Sequence, residues 1–223
     1  MAEVDVEHEK AVAARAAAAL VEDGMTVGLG TGSTVAHLLD ALAVRGVAAR
    51  YVATSPRTEE RARSLGLAVE PFGSHEHFDV AIDGADQVVP EGWLVKGGGA
   101  AHTREKVVAA TADRFVVIVD STKPVPALRP PVPLELLAFG TASTLRRLAA
   151  VGPVRVRPGA GPSPDGGVIC DYLGAVEDPG ALAGALGSVP GVVEHGLFPP
   201  GLVADVVIGR GDGVEWRRVA GPG

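Results

Sequence analysis

The chain has 223 residues, of which 47% are hydrophobic but only 4% aromatic, so its core must be built mainly from alanine, valine and leucine. The formal net charge is −7 and no block of lysine and arginine occurs, which argues against nucleic acid or an anionic membrane as a partner. Cys170 is the only cysteine, so there is no intrachain disulfide, as is typical of a reducing compartment. No run approaches the roughly 18 apolar residues of a membrane span, and the amino terminus lacks an apolar signal core. We therefore expect a soluble, cytoplasmic protein.

Strands and helices alternate over the first 120 residues. We predict helices at 5–22, 33–42, 56–66 and 103–113, and strands at 25–30, 48–54, 67–72, 78–83 and 114–120. This spacing is typical of a mainly parallel sheet with helices on both faces.

The composition changes near Pro124. Residues 124–136 are predicted to be a proline-rich connection. We predict helices after it at 141–151 and 179–188, and strands at 153–158, 168–173 and 191–198. The last strands, 202–209 and 214–219, are expected to return to the first sheet. The sequence thus predicts an α/β fold with two domains: a first domain that contains the mainly parallel sheet (1–127 and 199–223) and a smaller α+β domain (128–198).

A glycine-rich turn, Gly28–Thr34 (GLGTGST), joins the first predicted strand to a helix. Its glycines let backbone amides converge, its hydroxyls add donors, and the helix presents its positive end, all of which favour an anion. A dinucleotide fingerprint would require glycine where Ser33 stands and an acidic residue where the next strand ends in VATS. A phosphate monoester therefore fits better than a dinucleotide, although a plain strand–helix turn is an alternative.

Two acidic residues, Asp83 and Asp86 of the segment DGAD, come just beyond a predicted strand. Open parallel sheets bind ligands at the carboxyl ends of their strands. The two carboxylates could bind sugar hydroxyls, move a proton or hold a divalent metal. The alternative is an Asp-rich turn that caps a helix.

The segment KGGGAAHTREK (96–106) combines a lysine, three glycines and a glutamate. Three successive glycines permit backbone conformations closed to other residues, and their amides could surround a developing oxyanion. We expect Thr103 to cap the following helix and Glu105 to lie in its first turn. Taken singly, the helix dipole explains Glu105, but beside Lys96 and the glycines it suggests catalysis.

Lys123 follows the strongest predicted strand and could bind phosphate or lie in a solvated loop. The six histidines show no zinc-type spacing, so we predict no metal site. Cys170 is predicted to be a core residue.

Six segments in chain order resemble ribose-5-phosphate isomerases of the A type: GLGTGST, TSPRTEE, DGAD, KGGGAAHTREK, DSTK and PGVVEHGLF. The similarity runs from about Lys10 to residue 210. It implies that the first domain is a Rossmann-like catalytic domain and that the protein interconverts D-ribose 5-phosphate and D-ribulose 5-phosphate in the pentose phosphate pathway without a cofactor. The resemblance also implies a dimer or tetramer, and we expect a homodimer. The implied substrate contacts are Thr31, Gly32, Ser33, Thr34, Asp83, Gly84, Ala85, Asp86, Lys96, Gly97, Gly98, Gly99 and Lys123. Glu105 is implied to be the proton acceptor.

Several positions depart from the family's pattern. Gln87 stands where an acidic residue usually follows the second aspartate of the DGAD motif, and Thr122 replaces a common serine. The segment GAGPSPDGG takes the place of a TDNGN-like stretch. The segment LRPPVPLEL is a loose version of a proline–valine–glutamate segment. None of them removes a proposed catalytic group.

The residues support a proton-transfer mechanism with four catalytic side chains. Asp83 is our candidate for ring opening, and Glu105, made more basic by partial desolvation, would move the proton from C2 to C1. Lys96 and the amides of Gly97–Gly99 would stabilise the enediolate, and Asp86 would position hydroxyls.

Two other classes of protein remain as alternatives. A sugar-phosphate sensor would need a basic helix-turn-helix module, for which the acidic first twenty residues leave no room. Related enzymes on the same scaffold include an amino-sugar-phosphate deaminase, which would need a catalytic histidine arrangement, and a CoA transferase, whose glutamate would not follow KGGG.

Overall fold

The structure is a computed structural model that describes residues 4–73 and 75–219. The described chain divides into two compact units. The first comprises the described parts of 1–85, 104–123 and 200–223, and the second comprises 86–103 and 124–199.

The helices and strands of these ranges alternate over much of the chain. The helices are α1 (Val6–Ala18), α2 (Ser33–Arg45), α3 (Pro56–Ser64), α4 (His102–Thr111), α5 (Thr141–Leu148) and α6 (Pro179–Gly187). The strands are β1 (Thr26–Leu29), β2 (Arg50–Ala53), β3 (Val80–Asp83), β4 (Gln87–Val88), β5 (Leu94–Val95), β6 (Phe115–Val119), β7 (Val132–Leu136), β8 (Val154–Val156), β9 (Val168–Tyr172), β10 (Val192–His195), β11 (Leu197–Phe198), β12 (Asp205–Arg210) and β13 (Gly213–Arg218). The longest helices, α1 and α2, have 13 residues, and no helix of the described ranges is long and apolar enough to cross a membrane.

A six-stranded sheet in the order β13-β12-β6-β3-β1-β2 organises the first unit. All its neighbouring strands are parallel except β12 and β13, which form an antiparallel hairpin. All five residues of β6 (FVVIV) are buried, as expected for a strand covered on both faces. The predicted α/β fold with a mainly parallel sheet is therefore confirmed.

Alternation along the strands gives this sheet two different faces. Val27, Leu29 and Ile82 belong to the core that includes helices α1 and α2. Gly28 and Ala81 point the other way, where Val108 of α4 is so close that a β-carbon at position 28 would overlap its side chain. This close packing brings α4 against the sheet near the carboxyl ends of β1 and β3.

The second unit contains two small sheets. One is antiparallel, in the order β10-β7-β9-β8, and its core includes Leu134, Cys170, Leu148 of α5 and Leu186 of α6. The other is the three-stranded sheet β11-β5-β4. The chain passes from β10 to β11 at Gly196, where a β-carbon would overlap the Lys96 carbonyl oxygen.

Some local predictions were wrong. The predicted connection 124–136 ends in β7, an inner strand that pairs with both β9 and β10. Pro133 lies within β7, and its carbonyl accepts a hydrogen bond from the Gly196 amide at 2.7 Å. The predicted strand at 67–72 is reduced to one bridge between Tyr51 and Val69.

The two units also differ from the predicted domains 1–127, 128–198 and 199–223. Residues 86–103 and 124–127 belong to the second unit, because β4 and β5 form a hairpin that pairs with β11. The Val125 amide also donates to the Val88 carbonyl at 2.8 Å, which joins the start of the proline-rich segment to β4.

Candidate active site

The glycine-rich turn after β1 presents an uncapped helix terminus. Helix α2 begins at Ser33, and its N-cap, Gly32, has φ = 142°, a conformation that strongly favours glycine. No side chain caps this terminus, and both Gly32 and Ser33 are exposed. The amides of the first turn and the positive end of the helix dipole are therefore available to an anion.

Thr31 has a different role from the donor that we predicted. Its hydroxyl donates to Ser55 Oγ at 2.8 Å, Ser55 donates to Thr58 Oγ1 at 3.0 Å, and Thr58 donates to the Gly30 carbonyl at 3.0 Å. The Thr31 hydroxyl also shares a hydrogen bond with the Thr54 hydroxyl at 2.9 Å. These hydrogen bonds stabilise the conformation of the turn. Of the other two hydroxyls of the turn, that of Ser33 is exposed and that of Thr34 is buried.

Asp83 ends β3 and is 3% exposed. Its Oδ1 accepts hydrogen bonds from the amides of Thr31 at 3.1 Å and Gly84 at 2.7 Å. A β-carbon at Gly30 would overlap the Asp83 carboxyl group. Asp83 thus links the turn after β1 to the DGAD segment, and these contacts fix the position of each segment relative to the other.

Glu105 lies in the first turn of α4 and is 3% exposed. It lines a small pocket, too narrow in this structure to hold a water molecule, at the carboxyl ends of β1 and β3 together with Asp83, Gly30, Val108 and Phe115. Two carboxyl groups therefore reach the same pocket, and the apolar side chains around Glu105 limit its access to water.

In the second unit, the glycine run Gly97–Gly99 contacts Asp86, and two of its positions have room only for glycine. Asp86 is exposed, and its Oδ2 accepts a hydrogen bond from the Gly98 amide at 2.8 Å. A β-carbon at Gly98 would lie 2.9 Å from Asp86 Oδ1. Gly97 has φ = 105°, and a β-carbon there would lie 2.7 Å from His102 Nδ1. The expected use of glycine for close backbone approach is seen here, although Gly98 donates to a carboxylate of the protein.

Lys96 is buried, with 2% of its surface exposed. Its Nζ lies 5.4 Å from the centre of the Phe198 ring, within the range of a cation–π interaction. Its amide donates to the Gly196 carbonyl at 2.8 Å, which holds the end of β5. The ammonium is therefore held in place by the fold of the second unit.

The predicted helix cap at Thr103 was wrong. Helix α4 already begins at His102, and the Thr103 hydroxyl donates to Glu135 Oε2 at 2.5 Å. Ser163 donates to the other oxygen of the same buried carboxylate. Thr103 therefore ties the start of the helix to β7 and to the loop that contains Ser163.

Lys123 lies in the turn after β6 and is partly buried. Its amide donates to the Asp120 carbonyl at 3.3 Å, and the Thr122 amide donates to Asp120 Oδ1 at 2.9 Å. Lys10, by contrast, donates to Glu7 Oε1 at 2.6 Å in a surface ion pair.

Sequence reasoning assigned no role to several residues that form these contacts: Thr54, Ser55, Thr58, Glu135, Arg157 and Phe198. The hydroxyl residues lie in TSPRTEE, which carried part of the resemblance, so that segment was the available signal. Nothing in the sequence pointed to Arg157, which lies 60 residues beyond Gly97 and donates to its carbonyl at 3.0 Å. Within the described ranges, no three His, Cys, Asp or Glu side chains are grouped so that they could hold a metal ion.

In the first unit, an uncapped helix terminus and two buried carboxyl groups lie at the carboxyl ends of parallel strands. This arrangement is typical of α/β enzymes that act on small anionic substrates.

Comparisons with known proteins identify the family. Residues 50–213 match the family model described as ribose 5-phosphate isomerase A (phosphoriboisomerase A). The ribose-5-phosphate isomerase A of Gluconobacter oxydans is 43% identical over 228 residues, covering 96% of this chain and 98% of the relative. The solved ribose 5-phosphate isomerase A of Methanocaldococcus jannaschii superposes with a TM-score of 0.89 at 32% identity, covering 95% of this chain and 99% of the other. A solved D-ribose-5-phosphate isomerase in complex with phospho-erythronic acid has a TM-score of 0.89 at 33% identity, covering 96% and 100%. The chain belongs to the ribose 5-phosphate isomerase A family.

Proposed function

We propose that this protein interconverts D-ribose 5-phosphate and D-ribulose 5-phosphate, a step of the non-oxidative pentose phosphate pathway, without a cofactor. The observation that carries this proposal is that Glu105 and Asp83 line one pocket beside the uncapped start of α2. The family relationship favours this reaction over a sugar-phosphate sensor or another enzyme on the same scaffold.

Substrate binding begins with the phosphate. We assign the phosphate to the first turn of α2, where the amides near Gly32 and the Ser33 hydroxyl are exposed. We assign Lys123 to the same phosphate as a cationic contact. Thr31 and Thr34 belong to the same proposed phosphate site; in the structure the Thr31 hydroxyl donates to Ser55 Oγ and Thr34 is buried. Binding the phosphate at one end orients the carbon chain for reaction at the other end.

The chemical steps conserve all atoms of the sugar. Asp83 accepts and returns the hydroxyl proton that moves during ring opening. Glu105 then removes the proton from C2, which gives an enediolate, and returns it to C1, while a second proton moves between O1 and O2. Limited access to water makes the Glu105 carboxylate a stronger base than it would be in solution.

The negative charge of the enediolate needs donors. We assign this role to the Lys96 ammonium and to the amides of the run Gly97–Gly99, of which the Gly98 amide donates to Asp86 in this structure. We assign the positioning of sugar hydroxyls to Asp86. Donors of this type contribute about 3 kcal/mol each to lowering the barrier in comparable oxyanion sites. The remaining contacts of the proposed substrate site are the backbone of Gly84 and Ala85.

The decisive experiment is a coupled assay on ribose 5-phosphate in the presence of a chelator, with the Glu105→Gln variant alongside. We expect the wild type to be active and the variant to lose at least about 10³-fold in kcat while retaining its circular dichroism spectrum and unfolding midpoint. Substrate deuterated at C2 should lose label to solvent. Full retention of the label, or loss of activity in chelator, would instead indicate a metal-assisted hydride shift with Asp83 and Asp86 as metal ligands.

A homodimer and a cytoplasmic location are part of the same proposal. Phe139 of the second unit is 92% exposed and Leu137 is 52% exposed, an apolar surface that a second copy could cover. Analytical ultracentrifugation tests the dimer. A monomer at micromolar concentration that still has full activity would refute it.

A further inference from the structure

The peptide bond between Gly97 and Gly98 is held at both ends by charged side chains. Its carbonyl accepts a hydrogen bond from Arg157 Nη1 at 3.0 Å, and its N–H donates to Asp86 Oδ2 at 2.8 Å. A cation thus lies at the oxygen end of the peptide dipole and an anion at its hydrogen end. Both contacts are charge-assisted and favour the same orientation of the peptide.

Arg157 makes the same contact with the next peptide. Its Nη1 also donates to the Gly98 carbonyl at 3.1 Å. The only cis peptide bond in the described ranges joins Pro130 and Pro131, so the Gly98–Gly99 peptide is trans. Because a trans peptide points its C=O and N–H in opposite directions, the Gly99 N–H is turned away from Arg157. One guanidinium therefore aligns two successive amides.

The guanidinium itself is held firmly by Asp171. Arg157 Nη2 donates to Asp171 Oδ1 at 2.6 Å, and Arg157 Nε lies 3.1 Å from Oδ2. Asp171 lies on β9 and is buried, while Arg157 comes directly after β8, which pairs with β9. Since the guanidinium is a rigid planar fork, its contact with Asp171 fixes the direction of Nη1.

We propose that Arg157 is a positioning residue for the isomerisation. It holds the Gly98 amide against Asp86 and sets the direction of the Gly99 amide, to which we assign the enediolate oxygen, without itself touching the substrate. By withdrawing electron density from both carbonyl oxygens, it also strengthens the two amides as donors. This inference rests on the proposed function.

Three variants test the role of Arg157. Arg157→Lys keeps the charge beside Asp171 but loses the planar fork. The double variant Arg157→Met with Asp171→Leu removes both charges, so no buried carboxylate is left unpaired if the single variant folds poorly. Arg155→Lys is the matched control, because Arg155 lies on β8 and is exposed.

We expect both Arg157 variants to lose at least about tenfold in kcat, with KM for ribose 5-phosphate changing by less than about threefold, because the amides act mainly on the transition state. Affinity for phospho-erythronic acid, whose carboxylate carries charge on oxygen, should fall with kcat, while affinity for inorganic phosphate stays unchanged. The amide NMR resonances of Gly98 and Gly99 should shift in Arg157→Lys and stay in place in Arg155→Lys.

The inference is overturned if folded Arg157 variants keep kcat within twofold of the wild type, or if kcat falls while the Gly98 and Gly99 resonances do not move. Failure of the proposed function has a different signature, namely an inactive wild type or a fully active Glu105→Gln variant.

Discussion

Gly30 lies so close to Asp83 that a β-carbon at position 30 would overlap the carboxyl group. The two residues come from neighbouring parallel strands, since Gly30 follows β1 and Asp83 ends β3. The Thr31 amide next to Gly30 also donates to Asp83 Oδ1 at 3.1 Å. The backbone of the glycine-rich turn and the orientation of the Asp83 carboxylate therefore depend on each other.

The Gly30→Ala variant should disturb both stability and activity. The added methyl must push the Asp83 carboxylate or the turn aside, and overpacking of this kind costs about 1–3 kcal/mol. We expect a lower unfolding midpoint and at least a tenfold loss in kcat/KM, of the order seen when catalytic groups are misplaced by an ångström. Gly184→Ala is the control: it lies in α6 with no heavy atom within 4 Å of the added carbon, and should raise stability by up to about 1 kcal/mol. Wild-type stability and activity in Gly30→Ala would contradict the close contact.

The Ser33→Asp variant should have opposite effects on stability and on substrate binding. A carboxylate in the first turn of α2 interacts favourably with the helix dipole and should raise the free energy of unfolding by about 0.3–1 kcal/mol. The same charge repels the substrate phosphate, so we expect KM for ribose 5-phosphate to rise at least about tenfold. Urea unfolding and steady-state kinetics measure the two effects, and Ser33→Ala controls for the loss of the hydroxyl. An unchanged KM in Ser33→Asp would rule out this helix terminus as the phosphate site.

The buried carboxylate of Glu9 should make stability depend on pH. Glu9 Oε2 accepts from the Ser121 amide and Oε1 from the Gly211 amide, both at 2.9 Å. Burial raises the pKa of Glu9, but these hydrogen bonds, with Arg210 nearby, outweigh it and hold the pKa below its ordinary value of 4.5. A pKa lowered by folding means that the carboxylate stabilises the protein above pH 4.5 and that this contribution is lost as the pH falls.

We therefore expect Glu9→Gln to lower the free energy of unfolding by about 1–3 kcal/mol at pH 7, since it replaces a charged acceptor of two backbone amides. The difference from the wild type should shrink below pH 4.5, the ordinary pKa of the group. Urea titrations at several pH values measure it. Glu60→Gln is the matched control, because Glu60 lies in α3 and is exposed. A difference that grows on acidification would show that folding does not lower the pKa of Glu9.

Cys170 should report on unfolding of the second unit. Burial within β9, with the adjacent Asp171 carboxylate, raises the pKa of its thiol to about 11. At pH 8 the thiolate is therefore scarce, and we expect the folded protein to react with a disulfide reagent at least about 100-fold more slowly than the unfolded chain. The reaction rate across a urea titration should follow the loss of secondary structure. Rapid stoichiometric labelling of the native protein would contradict the buried position.

Local patterns predicted much of the fold because the relevant interactions are close in sequence. The apolar run of β6 and the start of α3 at Pro56 can be identified without knowing the tertiary structure. Strand β7 was missed because prolines normally exclude a segment from an inner strand. Pro133 is accommodated because its carbonyl still accepts a hydrogen bond from Gly196, a partner 63 residues away.

The alternating α/β architecture, the segments that carry chemistry and, through the order of those segments, the family could all be predicted from the amino-acid sequence. Periodicity and glycine placement act over a few residues, so they can be recognised in the sequence. Which donors are used inside the protein depends on the tertiary structure. Thr31 bonds to Ser55 and Asp83, Thr103 bonds to Glu135 rather than capping α4, and Arg157 reaches the carbonyls of the glycine run. These partners are brought together by strand pairing and helix packing, and hydrogen bonds between residues distant in sequence leave no local pattern.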